Sequence, residues 1–263
     1  MLGLVLIAVA VGYLGVCGLT CGLERRLIYF PQPVPVSGPL DPYGIHRVEV
    51  PGHPPVDVLH LPAPAGAPTV VHFHGNAEQL LDQLQFAQTL HEQGLGFYAI
   101  EYPGYGRSPG QPTEKSIYEA AETGIAALRA QGVSPSAIVL SGRSLGTGVA
   151  VEMARRGLGS RLVLVAPYTS IPDVGQRQFP WLPVRLLASD RFDSKAKAPG
   201  IRIPALIVHG DRDEVIPVDM GRELGRLLPN AKVLIVEGAQ HNDVLGRDRS
   251  VISQIARFAL GGR

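Results

Sequence analysis

Ser141-Gly142-Arg143-Ser144-Leu145-Gly146 is the stretch on which the reading of this chain turns. The residues before it, Ala137-Ile138-Val139-Leu140, form a short apolar run with β-branched members, the pattern of a buried strand. After it, Val149, Ala150, Met153 and Ala154 recur at helical spacing. Strand, Gly-flanked turn and helix is the context in which G-x-S-x-G becomes a sharp elbow that presents its serine. Glycines at 142 and 146 allow strand and helix to pass at a separation that side chains would block. Ser144 is then expected at the carboxyl end of a strand, beside a helix N-terminus. The same motif occurs in ordinary strand-to-helix turns. A catalytic reading therefore needs a base, an acid and an oxyanion site from the rest of the chain.

Working outward, strands and helices alternate on both sides of the elbow. Upstream, residues 46–50 and 56–61 alternate in hydropathy around Pro51-Gly52-His53-Pro54-Pro55, and read as an antiparallel hairpin. Thr69 to Phe73 and Gly96 to Ile100 read as buried strands, with a helical repeat from Leu80 to Leu90 between them and a helix from Ile117 to Ala130 after. Downstream, strands are expected at 162–165, 205–208 and 233–236, and helices at 218–228 and 252–260. This alternation predicts an α/β fold, a mostly parallel eight-stranded sheet with helices on both faces.

In open α/β sheets chemistry gathers beyond the carboxyl ends of the strands. Four such ends carry reactive or unusual residues: Ser144, Asp211-Arg212-Asp213, His241 and His74-Gly75-Asn76. A serine hydroxyl needs a base to take its proton, and His241 is the candidate. An imidazole acting this way needs an acceptor on its other nitrogen, and Asp213 is the candidate. Each has a plainer alternative, since Asp in Gly-Asp-Arg-Asp also suits a turn and a histidine after a strand is often a loop residue. The order serine, aspartate, histidine at successive strand ends is what favours the joint reading.

These segments, with Tyr102-Pro103-Gly104-Tyr105-Gly106-Arg107-Ser108, resemble the α/β-hydrolase superfamily. With the apolar N-terminus and Arg25-Arg26-Leu27-Ile28-Tyr29-Phe30-Pro31, the chain looks like its membrane-anchored serine hydrolases, among them depalmitoylase-like α/β-hydrolase-domain proteins and serine-aminopeptidase-like hydrolases. The resemblance spans almost the whole chain. It implies Ser144 as nucleophile, His241 as base and Asp213, by the H-G-x-x-D pattern, as acid. It implies an oxyanion hole from the backbone N–H groups of Leu145 and Asn76. The Tyr102–Ser108 loop then braces the elbow or serves simply as a turn. Fewer than forty residues separate the strands ending near Ala166 and beginning at Ala205, so a small cap of a helix or two is expected, with Phe179 and Trp181 either lining an acyl surface or packing on the sheet. The implied activity is cleavage of a carboxylic ester or thioester, on a small molecule or an acylated protein. Peptide or amide cleavage, a haloperoxidase- or lyase-type use of the same residues, and a non-catalytic interaction module are the alternatives.

The ends of the chain and its composition bound the rest. Leu2 to Leu23 carries no charge, and at about 1.5 Å per residue such a helix reaches roughly 33 Å, enough for a hydrocarbon core of about 30 Å. No Lys or Arg precedes it, unlike a cleaved signal, so an uncleaved transmembrane anchor over 1–24 is expected. Arg25 and Arg26 place the domain on the cytoplasmic side by the positive-inside rule. Residues 25–44 read as a Pro-rich linker with Tyr29 and Phe30 at the membrane interface or on an arm lying against the domain, and 45–263 as the catalytic domain. The two cysteines, Cys17 and Cys21, lie in the apolar segment and offer neither a disulfide framework nor a metal-ligand spacing. A formal net charge of +1 provides no footprint for nucleic acid. No cofactor or metal is expected.

Overall fold

The computed structural model describes residues 1–32 and 43–262. Most of the linker, residues 33–42, lies outside the described residues. The chain opens with helix α1 (Leu2–Ile28) and continues through the hairpin β1 (Ile45–Val48) and β2 (Val56–Leu61) to β3 (Thr69–Phe73). Then come α2 (Leu84–Glu92), β4 (Gly96–Ile100), α3 (Glu114–Ala130), β5 (Ile138–Arg143), α4 (Leu145–Arg155) and β6 (Arg161–Val165). Three short helices, α5 (Ile171–Gln178), α6 (Val184–Leu187) and α7 (Ser194–Lys197), form the cap. The chain closes with β7 (Ala205–Gly210), α8 (Val218–Leu227), β8 (Ala231–Val236) and α9 (Arg249–Ala259).

The eight strands form one sheet in the order β1-β2-β4-β3-β5-β6-β7-β8. β1 and β2 pair antiparallel with their neighbours, and every pairing from β4 to β8 is parallel. The sheet is thus mixed but mostly parallel, as expected. Parallel strands need crossover helices, and these cover both faces. Val71, Phe73, Ile138 and Leu140 pack with residues of α3, α4 and α8, whereas Val70 and Val139, one step along the same strands, pack with α2 and α9. That two-sided burial is why these strands read as continuous apolar runs. β3 and β5 lie side by side at the centre, with Phe73 opposite Gly142, so both lead their loops to the same edge.

Helix starts are where the pattern misleads. The apolar repeat places the start of α3 at Ile117, but the helix begins at Glu114, because Thr113 caps it and accepts from the Ser116 N–H at 3.0 Å. Asp248 does the same for α9, which starts three residues before Ile252. The Leu80–Leu90 repeat divides into a 3-10 turn at Leu80–Gln83 and then α2. The cap holds three helices rather than one or two, since Ser170 and Asp193 each cap a short one.

The N-terminal helix also departs from expectation. It is long and apolar enough to cross a membrane, but it runs to Ile28 rather than stopping before the arginines. Arg25 and Arg26 fall in its last turn, where cations complement the carboxyl end of the helix dipole. Tyr29 is buried and its hydroxyl donates to Asp190 Oδ2 at 2.6 Å. Tyr29 and Phe30, directly after α1, therefore lie against the domain. Within α1, Cys17 is buried and Cys21 exposed, both as free thiols.

Candidate active site

β5 ends at Arg143 and α4 begins at Leu145, leaving Ser144 alone in the turn. Its backbone sits at φ 48°, ψ −117°, a region that a residue with a Cβ rarely adopts. Three hydrogen bonds hold it there: the Ser144 N–H donates to Val165 O at 2.9 Å, and the Thr147 N–H and hydroxyl donate to Ser144 O at 2.9 and 2.6 Å. A Cβ on Gly142 would strike the Gly146 carbonyl, and one on Gly146 would strike the Phe73 carbonyl. The glycines are thus required by the crossing of β5, α4 and β3.

Asp213 and His241 come from the loops after β7 and β8 and meet Ser144 at the same sheet edge. His241 Nδ1 lies 2.8 Å from Asp213 Oδ2, and its Nε2 lies 3.0 Å from Ser144 Oγ. A carboxylate only accepts, so Nδ1 carries the proton and Nε2 is left to accept from the serine hydroxyl. Asp213 Oδ1 accepts from the N–H groups of Val215 at 3.0 Å and Ile216 at 2.7 Å. Burial alone would raise this carboxyl. Donation from His209, His241 and the Ile216 N–H overrides it and holds the group well below the usual carboxylate range. Asp211, by contrast, is exposed and accepts from the Gly238 N–H at 2.6 Å.

The other two expected residues flank the serine. Leu145 is the first residue of α4, so its N–H has no intrahelical acceptor. Asn76 follows β3 in a loop that includes Ala77 at φ 58°. Among the described residues, no backbone carbonyl accepts from the N–H of Leu145 or Asn76. The Asn76 side chain is a hub. Its Oδ1 accepts from the Tyr105 hydroxyl at 2.7 Å and the Phe30 N–H at 3.0 Å, and its Nδ2 donates to Ile28 O at 2.6 Å. Tyr105 thus gives the Tyr102–Ser108 loop a bracing contact, to the Asn76 loop rather than to the elbow. Beneath it, the buried His74 contacts Glu101 at 2.8 Å.

Three residues escaped the sequence reading. His209, fully buried, directs Nε2 at Ile216 O at 2.9 Å and at Asp213 Oδ2 at 3.3 Å, a second histidine on the same carboxylate. It was legible only as the head of His209-Gly210. Arg143, the variable position of the elbow, pairs with Glu78. The second oxygen of Glu78 accepts from the Gly75 N–H at 2.7 Å, so this ion pair ties the elbow to the Asn76 loop. No local pattern signals a pair so far apart in sequence.

A cavity of about 420 Å³ opens beside Ser144 and His241. Its walls are Val174, Leu182 and Leu187 of the cap, and Leu27 and Ile28 of α1. Phe179 is 48% and Trp181 59% exposed, and Phe179 lines the cavity. Among the described residues no cluster of His, Cys, Asp and Glu could hold a metal ion.

Elbow, strand order and the placing of the three loops are those of one superfamily, and comparison with known proteins agrees. The chain belongs to the α/β-hydrolase superfamily. Residues 65–190 match the serine aminopeptidase S33 family and residues 187–263 the family described as TAP-like protein. An uncharacterized Mycobacterium tuberculosis protein is 33% identical over 252 residues, covering 93% of this chain and 90% of its own. Alpha/beta hydrolase domain-containing protein 17C of Mus musculus is 35% identical over 190 residues, 69% of this chain and 57% of that protein. Among solved structures, the Pyrococcus furiosus esterase Pf2001 superposes with a TM-score of 0.68 at 17% identity, over 87% of this chain and 97% of its own. A membrane phospholipase A, described as a bacterial virulence factor, superposes with a TM-score of 0.62 at 21% identity, over 99% of this chain and 97% of its own.

Proposed function

We propose that this protein is a membrane-anchored serine hydrolase that cleaves carboxylic ester or thioester bonds. The observation that carries the reading is the continuous chain Asp213–His241–Ser144, with separations of 2.8 and 3.0 Å. In this mechanism His241 Nε2 takes the proton as Ser144 Oγ attacks the carbonyl carbon. The tetrahedral oxyanion is held by the N–H groups of Leu145 and Asn76, with the positive end of α4 behind them. Collapse expels the alcohol or thiol, which leaves with the proton from His241. Water, activated by the same imidazole, then hydrolyses the acyl-enzyme and restores Ser144. Asp213 stays ionised and stabilises the imidazolium.

The family match to serine aminopeptidases raises amide cleavage at a free N-terminus as the second reading. Such a substrate needs a carboxylate for its ammonium group. The two acidic residues lining the cavity are both engaged: Glu24 by the N–H groups of Ser189 and Asp190, and Glu78 by Arg143. That favours an acyl substrate. The anchor reading rests on the length and apolarity of α1, and the cytoplasmic placing of the domain on Arg25 and Arg26.

The test is Ser144→Ala in the full chain. Loss of a triad serine costs on the order of a millionfold in turnover. The variant should lose fluorophosphonate labelling and hydrolysis of p-nitrophenyl acetate while melting as the wild type does. Ser141→Ala, whose hydroxyl is buried against His72 at 3.1 Å, should still label. A folded Ser144→Ala protein that labels and turns over refutes the proposal.

A further inference from the structure

The N-terminal helix does more than reach a membrane. Tyr13 is the first α1 residue to hydrogen-bond to the domain, donating to Trp181 O in the cap at 3.0 Å. Further along, Glu24 Oε1 accepts from the Ser189 N–H at 2.7 Å and the Asp190 N–H at 3.1 Å, and its other oxygen accepts from the Ser189 hydroxyl. Ile28 and Phe30 dock on Asn76 beside Ser144. The α1 surface between these latches faces the cavity through Thr20, Glu24, Leu27 and Ile28. Its polar groups are already satisfied: the Thr20 hydroxyl donates back to Val16 O at 2.8 Å, and Glu24 is held by the cap. What remains to meet a ligand is hydrocarbon.

The dimensions and placing of this groove point to a ligand. From Thr20 to Ile28, where the helix ends, is eight residues, about 12 Å at helical rise. An extended chain advances roughly 1.2 Å per bond, the rise of an extended peptide divided by its three backbone bonds, so about ten bonds fit. The first latch, Tyr13, lies inside the charge-free run from Leu2 to Leu23, about 17 Å of helix before the first charged residue, Glu24, whereas a hydrocarbon core is about 30 Å thick. With that run in the apolar layer, the cap tip enters the layer beside it. The tip is built for that: Trp181 is 59% and Leu186 85% exposed, next to the half-exposed Phe179. The groove mouth between α1 and cap therefore lies at the lipid.

Resting on the serine hydrolase reading, we infer that α1 is one wall of the acyl site. The substrate is an ester or thioester of a single long, unbranched acyl chain that reaches Ser144 from the bilayer along α1.

The experiment uses the full chain in lipid nanodiscs with p-nitrophenyl acetate, butyrate, octanoate, laurate and palmitate. Each methylene buried should raise kcat/KM by about fourfold, levelling off near laurate. Two variants fill the groove from opposite walls, Leu27→Trp on α1 and Val174→Trp on the cap. Both should lower the laurate-to-acetate ratio of kcat/KM by at least about tenfold, while Ser144 labelling reports a folded site. A flat chain-length series with acetate turned over, or an unchanged ratio in both folded variants, overturns this inference alone. A lower ratio from Val174→Trp only removes α1 as a wall and overturns it as well. Absence of both acetate hydrolysis and Ser144 labelling in the wild type overturns the hydrolase reading, and this inference with it.

Discussion

Replacing Asp213 by Asn exchanges one carboxylate oxygen for an NH₂ group, and the surroundings dictate which oxygen is lost. The N–H groups of Val215 and Ile216 point at Oδ1, so the Asn carbonyl must occupy that position. Its NH₂ group then falls where Oδ2 accepted from His241 Nδ1 at 2.8 Å. A donor there selects the opposite imidazole tautomer. His241 carries its proton on Nε2, now faces Ser144 as a donor, and no longer serves as base. In a triad of this kind the wrong tautomer costs about four orders of magnitude in turnover, or about 5 kcal/mol of transition-state stabilisation. His209 adds a structural cost, since its Nε2–H donates to Ile216 O and would meet the new NH₂ group head-on. A buried donor left without an acceptor costs about 1–3 kcal/mol, so melting should fall too. Turnover of p-nitrophenyl acetate by Asp213→Asn, corrected for folded fraction, is the assay, with Asp211→Asn as the comparison. Asp211 accepts from the Gly238 N–H, remote from the imidazole, and its Asn variant should keep turnover within about tenfold. Asp213→Asn turnover within tenfold of wild type, or a reversed ranking, would refute the tautomer argument.

Two further predictions concern stability and placing. Burial pushes the Glu152 carboxyl up, but Arg155, Arg156 and Lys197 more than offset this and hold it at about 2. Its folded pKa is depressed, so its contribution is complete above the unfolded value near 4.5 and is lost as pH falls towards 2. Glu152→Gln should therefore cost at most about 3 kcal/mol at neutral pH and flatten the loss of stability across that window, read by urea titration at each pH; an equally steep acid limb would count against it. The full chain should stay in the membrane fraction through high-salt and carbonate washes with its N-terminus intact by mass spectrometry, and a soluble form beginning beyond Cys17 would rule out the uncleaved anchor.

The sheet was legible because its central strands are buried on both faces. Val70-Val71-His72-Phe73 has no polar face to confuse the reading. Ser144, Asp213 and His241 were legible for a different reason: each follows a strand, and parallel strands deliver their carboxyl ends to one edge. Contacts between distant segments that serve no local pattern stayed hidden. Arg143–Glu78 and His209–Asp213 are of that kind. The end of α1 was not legible either: the charge-free run stops at Leu23, yet the helix continues to Ile28, with Glu24 held by the Ser189 and Asp190 N–H groups of the cap, a contact with no local pattern. Helix starts were late wherever the first turn was polar, since capping by Thr113 or Asp248 leaves no apolar trace.

The latches at Tyr13, Glu24 and Tyr29 make α1 a mount rather than a tether. A domain on a tether sweeps a hemisphere whose radius grows with the number of linking residues. On the anchored reading proposed above, a domain bolted to its own membrane helix would work at one height and turn only about the bilayer normal. Encounter with substrate would then be a two-dimensional problem, governed by the mole fraction of ester among the surrounding lipids rather than by its concentration in the bulk.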